Sequence, residues 1–475
     1  MQCLLSRKPR GRAARSPWRT WVHIALCVGF ALRVGAAALR PVVEVEEDVY
    51  RYQPANNGAG PLWCSGSACL VRVGANALAS GLETLPAAKP LNNCRWLLFH
   101  RATEGWRLAQ ADPKGRTREP CPLAVFSDGR LFLSANPTLV ADPEAYSGPA
   151  RPELLQFDAA HPARPFRRLI PKWQGNPRFT EHSYRSLAAD GADRELILFQ
   201  NIGYTHAEWT FMDRAGRWAA QGRLKWPWGA EYAKPQPVRV CYPDVALRRR
   251  AVYFCGVSDI VEPNPRWRAY KRKLTGREWD YDFRRLFYTW TPDITKEPFR
   301  PWLELDSREA TCGWITPGDL WVGPDGTVHV VWTVRALDER LRPVFFPDAE
   351  QFYAVKYARI RNGRLLGAAR LFYARPPGPA PGRARFQPTP EGRLFVVFYL
   401  SGRDAGGRRV SEDRLLELKD GRLAGPGAAL PLRRPMRDFF TATPRAGSPP
   451  SRCLEMLGEC AGAGGVISYA RIRLE

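Results

Sequence analysis

Three kinds of sequence pattern are absent or scarce in this 475-residue sequence. Apolar residues with the 3.6-residue period of an amphipathic helix are nearly absent, which excludes helical bundles and alternating βα architectures. No apolar run beyond the first 40 residues is long enough to span a membrane. No Cys-x-x-Cys pair or His/Cys cluster has the spacing of a zinc site, and the whole chain has only six histidines. We therefore predict an all-β protein that carries neither a metal ion nor a cofactor.

Residues that favour turns are plentiful. The chain has 40 glycines and 43 prolines, and 45% of its residues are hydrophobic. This composition is typical of a globular protein built from many short elements joined by turns. The length is sufficient for a large core, either in one big β domain or in two or three smaller ones.

The first 40 residues differ from the rest of the chain. They hold eight basic and no acidic residues, and the apolar run WVHIALCVGFAL (21–32) precedes the small residues Ala36–Ala38. A basic segment, a short apolar run and a small-residue site are together typical of a signal peptide. Because Arg33 limits the apolar run, an uncleaved N-terminal anchor over residues 21–38 is the alternative. We expect a secreted or periplasmic protein whose contact with a membrane is limited to this segment.

The net charge of +24 is strongly positive. Without the eight basic residues of the first 40, the remainder keeps 63 basic against 47 acidic residues, a net +16. A basic surface suits nucleic acid, anionic lipid or an acidic polysaccharide. The expected export argues against nucleic acid, so the predicted partner is an acidic or sulfated polysaccharide. Since 60 of the 71 basic residues are arginines, a compositional bias that makes the whole surface basic is the alternative, and the oligomeric state stays open.

A repeat of two strand pairs runs along the chain. Two apolar strands joined by a tight turn are followed by a longer loop and a second pair of strands. The turns of the first pairs fall near residues 74, 128, 190, 248, 325, 391 and 446. Their spacing of roughly 60 residues is typical of four-stranded propeller blades. It predicts a seven-bladed β-propeller over residues 41–475, with six blades as the alternative because the last copy is weak.

The two ends of the chain predict how the ring closes. The last unit stops after its third strand, GVISYARIRLE, while RPVVEVEEDVYRY (40–52) is a strand left over before the first unit. If the early strand lies on the outside of the last blade, both free strand edges are covered. We therefore predict that the N-terminal strand closes the propeller.

Nine cysteines lie beyond residue 40, so at least one thiol has no partner within the chain. Cys241 and Cys255 flank the turn near residue 248 symmetrically. We predict that these two are cross-strand neighbours, either as a disulfide or as two packed thiols. Cys64 and Cys94 are expected to meet by the same reasoning.

Two of the six histidines lie at the ends of one stretch, HSYRSLAADGADRELILFQNIGYTHAEW (182–209). In a propeller, the start of each innermost strand and the loop between its second and third strands open at the same end of the ring. His182 stands at such a start and His206 in such a loop. We predict that both meet Tyr184 and Arg185 in a catalytic site, although strand alternation points Arg185 away from the other two.

Further polar and aromatic residues are predicted at the same end of the ring. The longest insertion, residues 258–285, is expected to cover it and to supply aromatic and charged side chains. Acidic candidates for catalysis are Glu119, Asp319 and Asp438. Candidates for substrate binding are Glu181, Tyr204, Tyr242, Asp259, Trp314 and Arg385. The alternative for each is a structural role, in which it caps a strand end or packs between blades.

The strand–Asp-Gly–strand units, such as GPDGTVHVVW, resemble the BNR-repeat propellers of the sialidase superfamily over roughly residues 41–475. The turn MDRAGRW (212–218) is similar to the Asp-box, Ser-x-Asp-x-Gly-x-x-Trp, in Asp213, Gly216 and Trp218, but it lacks the leading Ser and differs in spacing. The resemblance implies an exported carbohydrate-active protein.

Some propellers of this group are polysaccharide lyases that use His, Tyr and Arg around an acidic sugar. For this chain the resemblance implies a base in His182 or His206, an acid in Tyr184 and a carboxylate partner in Arg185. A glycoside hydrolase would instead need two carboxylates across the mouth of the ring. A non-catalytic propeller that binds a glycan or a protein is the alternative to both.

Overall fold

The computed structural model describes residues 39–113 and 115–475, and these residues form a ring of seven four-stranded antiparallel sheets. The inner strands of neighbouring sheets contact each other all the way round the ring. The predicted seven-bladed β-propeller is therefore confirmed, and the six-blade alternative is wrong. The predicted signal peptide and the alternative anchor over residues 21–38 lie outside the described residues.

Each blade has four strands, called a to d from the axis outward. Blade 1 consists of Leu70–Val73, Asn76–Thr84, Cys94–Ala102 and Gly105–Ala111, and blade 2 of Leu123–Val125, Arg130–Ala135, Glu153–Asp158 and Arg167–Leu169. Blade 3 consists of Arg185–Asp190, Glu195–Ile202, His206–Met212 and Trp218–Lys225, and blade 4 of Val240–Arg248, Ala251–Ser258, Arg285–Thr291 and Leu303–Ser307. Blade 5 consists of Trp314–Val322, Val328–Arg335, Tyr353–Arg361 and Arg364–Ala374, and blade 6 of Ala380–Pro388, Leu394–Arg403, Arg409–Lys419 and Arg422–Leu423.

Blade 7 joins the two ends of the chain. Its strands a to c are Met436–Thr441, Cys453–Cys460 and Val466–Arg473, and its strand d is the N-terminal strand Val42–Arg51. The register runs antiparallel from Val42 opposite Arg473 to Arg51 opposite Val466. The predicted closure by the N-terminal strand is therefore confirmed.

A few short elements lie outside the blades. Two-residue ribbons join Trp228–Gly229 to Gln236–Pro237 and Ile260–Val261 to Tyr281–Asp282, and Ala428–Ala429 pairs with strand c of blade 6. The helices are Pro265–Thr275 and Arg342–Phe345, with a 3₁₀ turn at Glu309–Thr311. Within the described ranges, no helix has the length and apolar character needed to cross a membrane.

The axis of the ring is filled by two buried arginines. Arg445 lies in the a–b connection of blade 7, which hydrogen-bonds to the inner strands of blades 2 and 3 through Val125 and Ala189. Its guanidinium donates to Asp319 at 2.7 Å and to Asp244 at 3.2 Å. This crossing segment explains why the seventh repeat looks weak in sequence, because its a–b connection fills the axis instead of forming a tight turn.

The second axial arginine is Arg385, in strand a of blade 6. It donates to the carbonyl oxygens of Gly318 at 2.7 Å, Ser65 at 2.8 Å and Phe439 at 3.1 Å. Asp319 and Arg385 are only 1% and 2% exposed. Asp319 and Arg385, which were predicted to face a substrate, are therefore buried on the axis, where their hydrogen bonds join neighbouring blades.

The cysteines do not pair as predicted. Cys255 lies opposite Asp244, and Cys241 lies opposite Val257, so the two thiols are not cross-strand partners. All nine cysteines in the described ranges are free thiols. Cys64 donates towards Glu119 at 3.5 Å and does not bond to Cys94. Symmetric spacing about residue 248 failed here because the hairpin turns at Arg249 and Arg250, with Arg248 opposite Ala251.

Asp413 in strand c of blade 6 makes the stability of the propeller depend on pH. One of its oxygens accepts from the amide of Met436 at 2.7 Å, and the other has no hydrogen-bond partner among the described residues. Burial raises the pKa of Asp413 to about 7. The folded state therefore binds this proton more tightly than the unfolded state, so its contribution to stability falls as pH rises from about 4 to about 7.

Replacement of Asp413 by Asn should remove this dependence. Asp413→Asn imitates the protonated acid, so we expect the variant to exceed the wild type in unfolding free energy at pH 8 by on the order of 1–3 kcal/mol, to exceed it by less at pH 5, and to approach it only near pH 4. Thermal unfolding of both proteins at the two pH values measures the difference. An equal difference at pH 5 and pH 8 would show that the carboxyl group does not titrate in this range.

Candidate functional site at the mouth of the propeller

An open cavity of about 1050 Å³ lies where the inner strands begin and the b–c loops end. We call it the mouth cavity. Blades 1 and 4 to 7 line it, together with Tyr52 from the segment that follows the N-terminal strand. Its aromatic lining residues are Tyr52, Trp63, Tyr242, Phe283, Trp314 and Tyr399. A large concave site with aromatic walls and a few polar groups is the usual form of a ligand-binding site.

Four of these aromatic rings form a continuous wall. Trp63 meets the edge of Tyr242 with ring centroids 5.6 Å apart, Tyr242 lies 6.0 Å from Phe283, and Phe283 lies 4.6 Å from Trp314. Trp314 is the first residue of strand a in blade 5 and is 37% exposed. Its indole N–H donates to the Thr316 hydroxyl, which fixes the ring at the open edge of the wall.

Three arginines line the opposite part of the mouth cavity. Arg383 donates to Asp438 at 3.1 Å, and Arg437 pairs with Glu459. Arg409 is exposed and forms no side-chain ion pair or hydrogen bond with any described residue. Three cations against two carboxylates leave this side of the cavity positive. Of the predicted site residues, Asp438, Tyr242 and Trp314 therefore do line one cavity.

A second cluster adjoins the cavity through Tyr242. The ring of Tyr184 lies 5.8 Å from that of Tyr242, and the Arg239 guanidinium lies 5.4 Å from the Tyr184 ring and 4.0 Å from the Tyr204 ring. Asp259 holds Arg239 at 2.8 Å. The sequence reading missed Arg239, although its position two residues before Cys241 in PVRVCYPD places it at the start of an inner strand.

The two tyrosines at this junction remain protonated at neutral pH. Burial raises the pKa of Tyr184 and of Tyr242 above the ordinary value, with neighbouring acidic and phenolic groups adding to the effect. Neither hydroxyl hydrogen-bonds to another described residue. Each phenol is therefore a proton donor that the fold leaves available to a ligand.

His182 is exposed at the mouth end but is held by a partner that sequence does not indicate. Its Nδ1 accepts a hydrogen bond from Arg118 at 2.7 Å. Because a guanidinium can only donate, the imidazole proton must be on Nε2. Burial and the Arg118 charge lower the pKa of His182, so the ring is neutral. His182 therefore offers an N–H donor towards solvent, and its basic nitrogen is occupied.

His206 belongs to a different arrangement. Its Nδ1 is 2.8 Å from the Thr205 hydroxyl, and its Nε2 is 3.1 Å from Glu208. Arg223 donates to the same Glu208 oxygen at 2.7 Å. Since both ring nitrogens are used within blade 3, no contact brings His206 to His182 among the described residues. The geometry does not give the predicted pairing of the two histidines.

Several predicted site residues are closed off from a ligand. Arg185 is 4% exposed and donates to the carbonyl oxygen of Pro120 at 2.6 Å. Glu119 is fully buried beside Arg118 and Arg185, and burial raises its pKa. Glu181 is buried and accepts from the Gly148 amide at 3.0 Å. Arg185, predicted as a carboxylate partner, and Glu119, predicted as an acid catalyst, therefore do not reach the surface, because both are held among buried interblade contacts.

The turn MDRAGRW joins strands c and d of blade 3, at the end of the ring opposite to the mouth. Asp213 accepts from the amides of Ala215 and Arg217, both at 3.0 Å, and bonds the Arg217 guanidinium at 2.8 Å. Gly216 has a positive φ of 76°, which a residue without a side chain adopts at no steric cost. The aspartate therefore stabilises a tight turn and has no place in the mouth cavity.

No protein-family profile and no curated protein matches the sequence. Among solved structures, the chain is similar to a polysaccharide lyase of family PL25, an ulvan lyase bound to a GlcA(1-4)Rha3S oligosaccharide. The identity is 10%, the alignment covers 92% of this chain and 95% of the lyase, and the TM-score is 0.48.

Two further structures show similar values. The polysaccharide lyase Uly1 has 10% identity, coverage of 91% of this chain and 98% of its own, and a TM-score of 0.48. An α-L-arabinanase from Penicillium chrysogenum, complexed with arabinobiose, has 13% identity, coverage of 91% and 98%, and a TM-score of 0.40. At such identities a likeness concerns the fold alone, because propellers carry many functions.

Proposed function

We propose that the protein binds an acidic or sulfated polysaccharide in the mouth cavity. One observation carries the proposal: the aromatic wall from Trp63 to Trp314 and the positive side with Arg383 and Arg409 belong to one open cavity. The apolar faces of sugar rings can stack on aromatic side chains. Guanidinium groups bind carboxylate and sulfate oxygens through paired hydrogen bonds.

The exposed Arg409 favours an acidic ligand over a neutral one. Arg383 and Arg437 already face the carboxylates of Asp438 and Glu459, whereas Arg409 has no counter-charge among the described side chains. An anionic sugar would supply that charge. A protein partner on this face is the alternative. A concave cavity, however, fits a polysaccharide chain better than it fits the flat surface of a protein partner.

Cleavage by β-elimination is the second candidate, and the free hydroxyls of Tyr184 and Tyr242 favour it. Elimination needs a base for the C5 proton, an acid for the leaving oxygen and a positive group for the uronate carboxylate. The Tyr184 ring contacts Tyr242 and Arg239, so this cluster holds candidates for the acid and for the positive group. The geometry assigns no base, because Arg118 occupies Nδ1 of His182. Hydrolysis by two carboxylates has less support, because Asp319 and Glu119 are buried and Asp438 is bonded to Arg383.

A panel of polysaccharides tests both candidates. Polygalacturonate, alginate, chondroitin sulfate and heparin would be compared with neutral dextran and arabinan, first for binding and then for products. Tighter binding of the acidic members supports the proposal. New absorbance near 232 nm identifies elimination, and new reducing ends without that absorbance identify hydrolysis. Equal binding of neutral and acidic chains would contradict the acidic specificity, and no binding at all would reject the polysaccharide.

We also propose that the protein is related to the BNR-repeat propellers and that it is exported from the cytoplasm. The Asp213 turn supports the kinship, since it caps a c–d turn as the resemblance implies. The basic, apolar first 40 residues support a secreted or periplasmic location. Determination of the N-terminal residue of the protein from a secreting host tests the location, and a start near residue 40 is the expected result.

A further inference from the structure

A basic helix stands on the rim of the mouth. The helix Pro265–Thr275 lies in the b–c insertion of blade 4, and we call it the rim helix. Asn264 caps its first turn by accepting from the amides of Arg266 and Trp267, and Gly276 ends it with a φ of 70°. These local signals make a short helix form in a protein that is otherwise built from strands.

The inner side of the rim helix is fixed against blades 4 and 5. Trp267 packs edge-on against Phe346 at 5.5 Å, and Tyr270 packs in the same way against Phe345. Lys271 is 3% exposed and bonds Glu262 at 2.7 Å. A second buried cation, Arg284, binds the same carboxylate at 2.9 Å. Because these contacts use the apolar side of the helix, its position on the rim is rigid.

The outer side of the rim helix and the turn after it are strongly positive. The exposed basic residues there are Arg268, Arg272, Lys273 and Arg277, while Arg266 is exposed at the edge of the packed side, 5.7 Å from the Phe345 ring. Glu278 is the one exposed acidic residue of the same stretch, and it pairs with Arg272 at 2.6 Å. The other four cations have no ion pair with any described carboxylate. The exposed indole of Trp279 lies immediately after this cluster.

The insertion is continuous with the mouth cavity at both ends. It begins at Asp259, which holds Arg239 beside Tyr184, and it ends at Tyr281 and Phe283. Phe283 is part of the aromatic wall of the cavity. A chain bound in the cavity can therefore leave it across the base of the insertion and reach the basic side of the rim helix.

We propose that the rim helix is an outer binding site for an extended anionic polysaccharide whose other end occupies the mouth cavity. The inference rests on the proposed function and adds that the ligand is a long polyanion. An anionic membrane fits less well, because a helix that binds in a membrane interface inserts its apolar side. Here that side is already packed on Phe345 and Phe346.

A charge-removal variant of the full chain tests this site. The variant Arg268→Gln/Lys273→Gln/Arg277→Gln leaves the Arg272–Glu278 pair and the contact of Arg266 with Phe345 intact. Its matched control, Arg214→Gln/Arg364→Gln/Arg422→Gln, removes three exposed charges from c–d turns at the other end of the ring. Both variants and the wild type would be titrated with long-chain heparin and with a heparin tetrasaccharide at 50 and 200 mM salt.

We expect the rim variant to bind long-chain heparin about tenfold more weakly than the wild type, with a shallower dependence on salt. Its affinity for the tetrasaccharide should not change, and the control should bind both probes like the wild type. An unchanged affinity for long heparin would overturn the outer site while leaving tetrasaccharide binding in the mouth intact. An equal loss in the control would show a general charge effect and overturn it as well. A larger loss on phosphatidylserine vesicles than on heparin would assign the surface to lipid.

Discussion

Replacement of Arg445 by Ala should cost the propeller about 3–5 kcal/mol of unfolding free energy. The side chain is buried on the axis and donates to Asp319, to Asp244 and to the carbonyl oxygen of Gly66. Its removal leaves two carboxylates without their cation in a region closed to water. Burial already raises the pKa of Asp244 to about 7 in the presence of Arg445. The loss should therefore be smaller at pH 5, where protonation neutralises this group, than at pH 8.

Two further variants distinguish an unpaired buried charge from a simple loss of packing as the cause of the lost stability. Arg452→Ala removes an exposed arginine that pairs with Glu391, and it should cost less than about 1 kcal/mol. Addition of Asp244→Asn and Asp319→Asn to Arg445→Ala should recover a large part of the lost stability, since no unpaired charge remains. Denaturant unfolding at both pH values measures these differences. A triple variant no more stable than Arg445→Ala would show that the axial charges are not the cause.

Replacement of Trp314 by Ala should weaken binding of an acidic oligosaccharide about 30-fold, which corresponds to about 2 kcal/mol. Trp314 closes the aromatic wall at its open edge and already has 37% of its surface in solvent. Its removal therefore takes away a stacking surface while leaving the blade core intact. Calorimetric titration with a heparin tetrasaccharide measures the affinity, and thermal unfolding checks that the fold is unchanged.

Tyr373 offers a control of equal exposure. It is 38% exposed on strand d of blade 5 and does not line the mouth cavity. Tyr373→Ala should leave the affinity for the oligosaccharide as it is in the wild type. If Trp314→Ala also binds normally, the aromatic wall has no part in recognition.

The fold was predictable because it depends on a repeated local pattern. A strand, a tight turn and a second strand recur at nearly constant spacing, and the unpaired strand at each end fits only one closure. These features survive an irregularity in any one copy. The spacing of the turns therefore predicts seven blades, even though the a–b connection of the seventh blade crosses the axis and is not a tight turn.

The chemistry of the mouth was less predictable because it depends on contacts between residues that are distant in sequence. Sequence placed His182 at the mouth, but it could not indicate that Arg118, from the preceding blade, occupies Nδ1. Strand alternation correctly marked Arg185 as the weakest member of the predicted site, and the structure buries it. No sequence motif marks Arg239. Its place in the site is recognised only from its contacts with Tyr184, Tyr204 and Tyr281, which come from separate segments of the chain.

A crystal structure of the protein with a bound heparin tetrasaccharide tests the central claim most directly. We predict that a sugar ring lies against Trp314 and Phe283. An acidic group of the ligand should lie within hydrogen-bond distance, about 2.7–3.2 Å, of the Arg409 or Arg383 guanidinium. An ordered oligosaccharide at the other end of the ring or on the outer strands, with the mouth cavity empty, would contradict the claim.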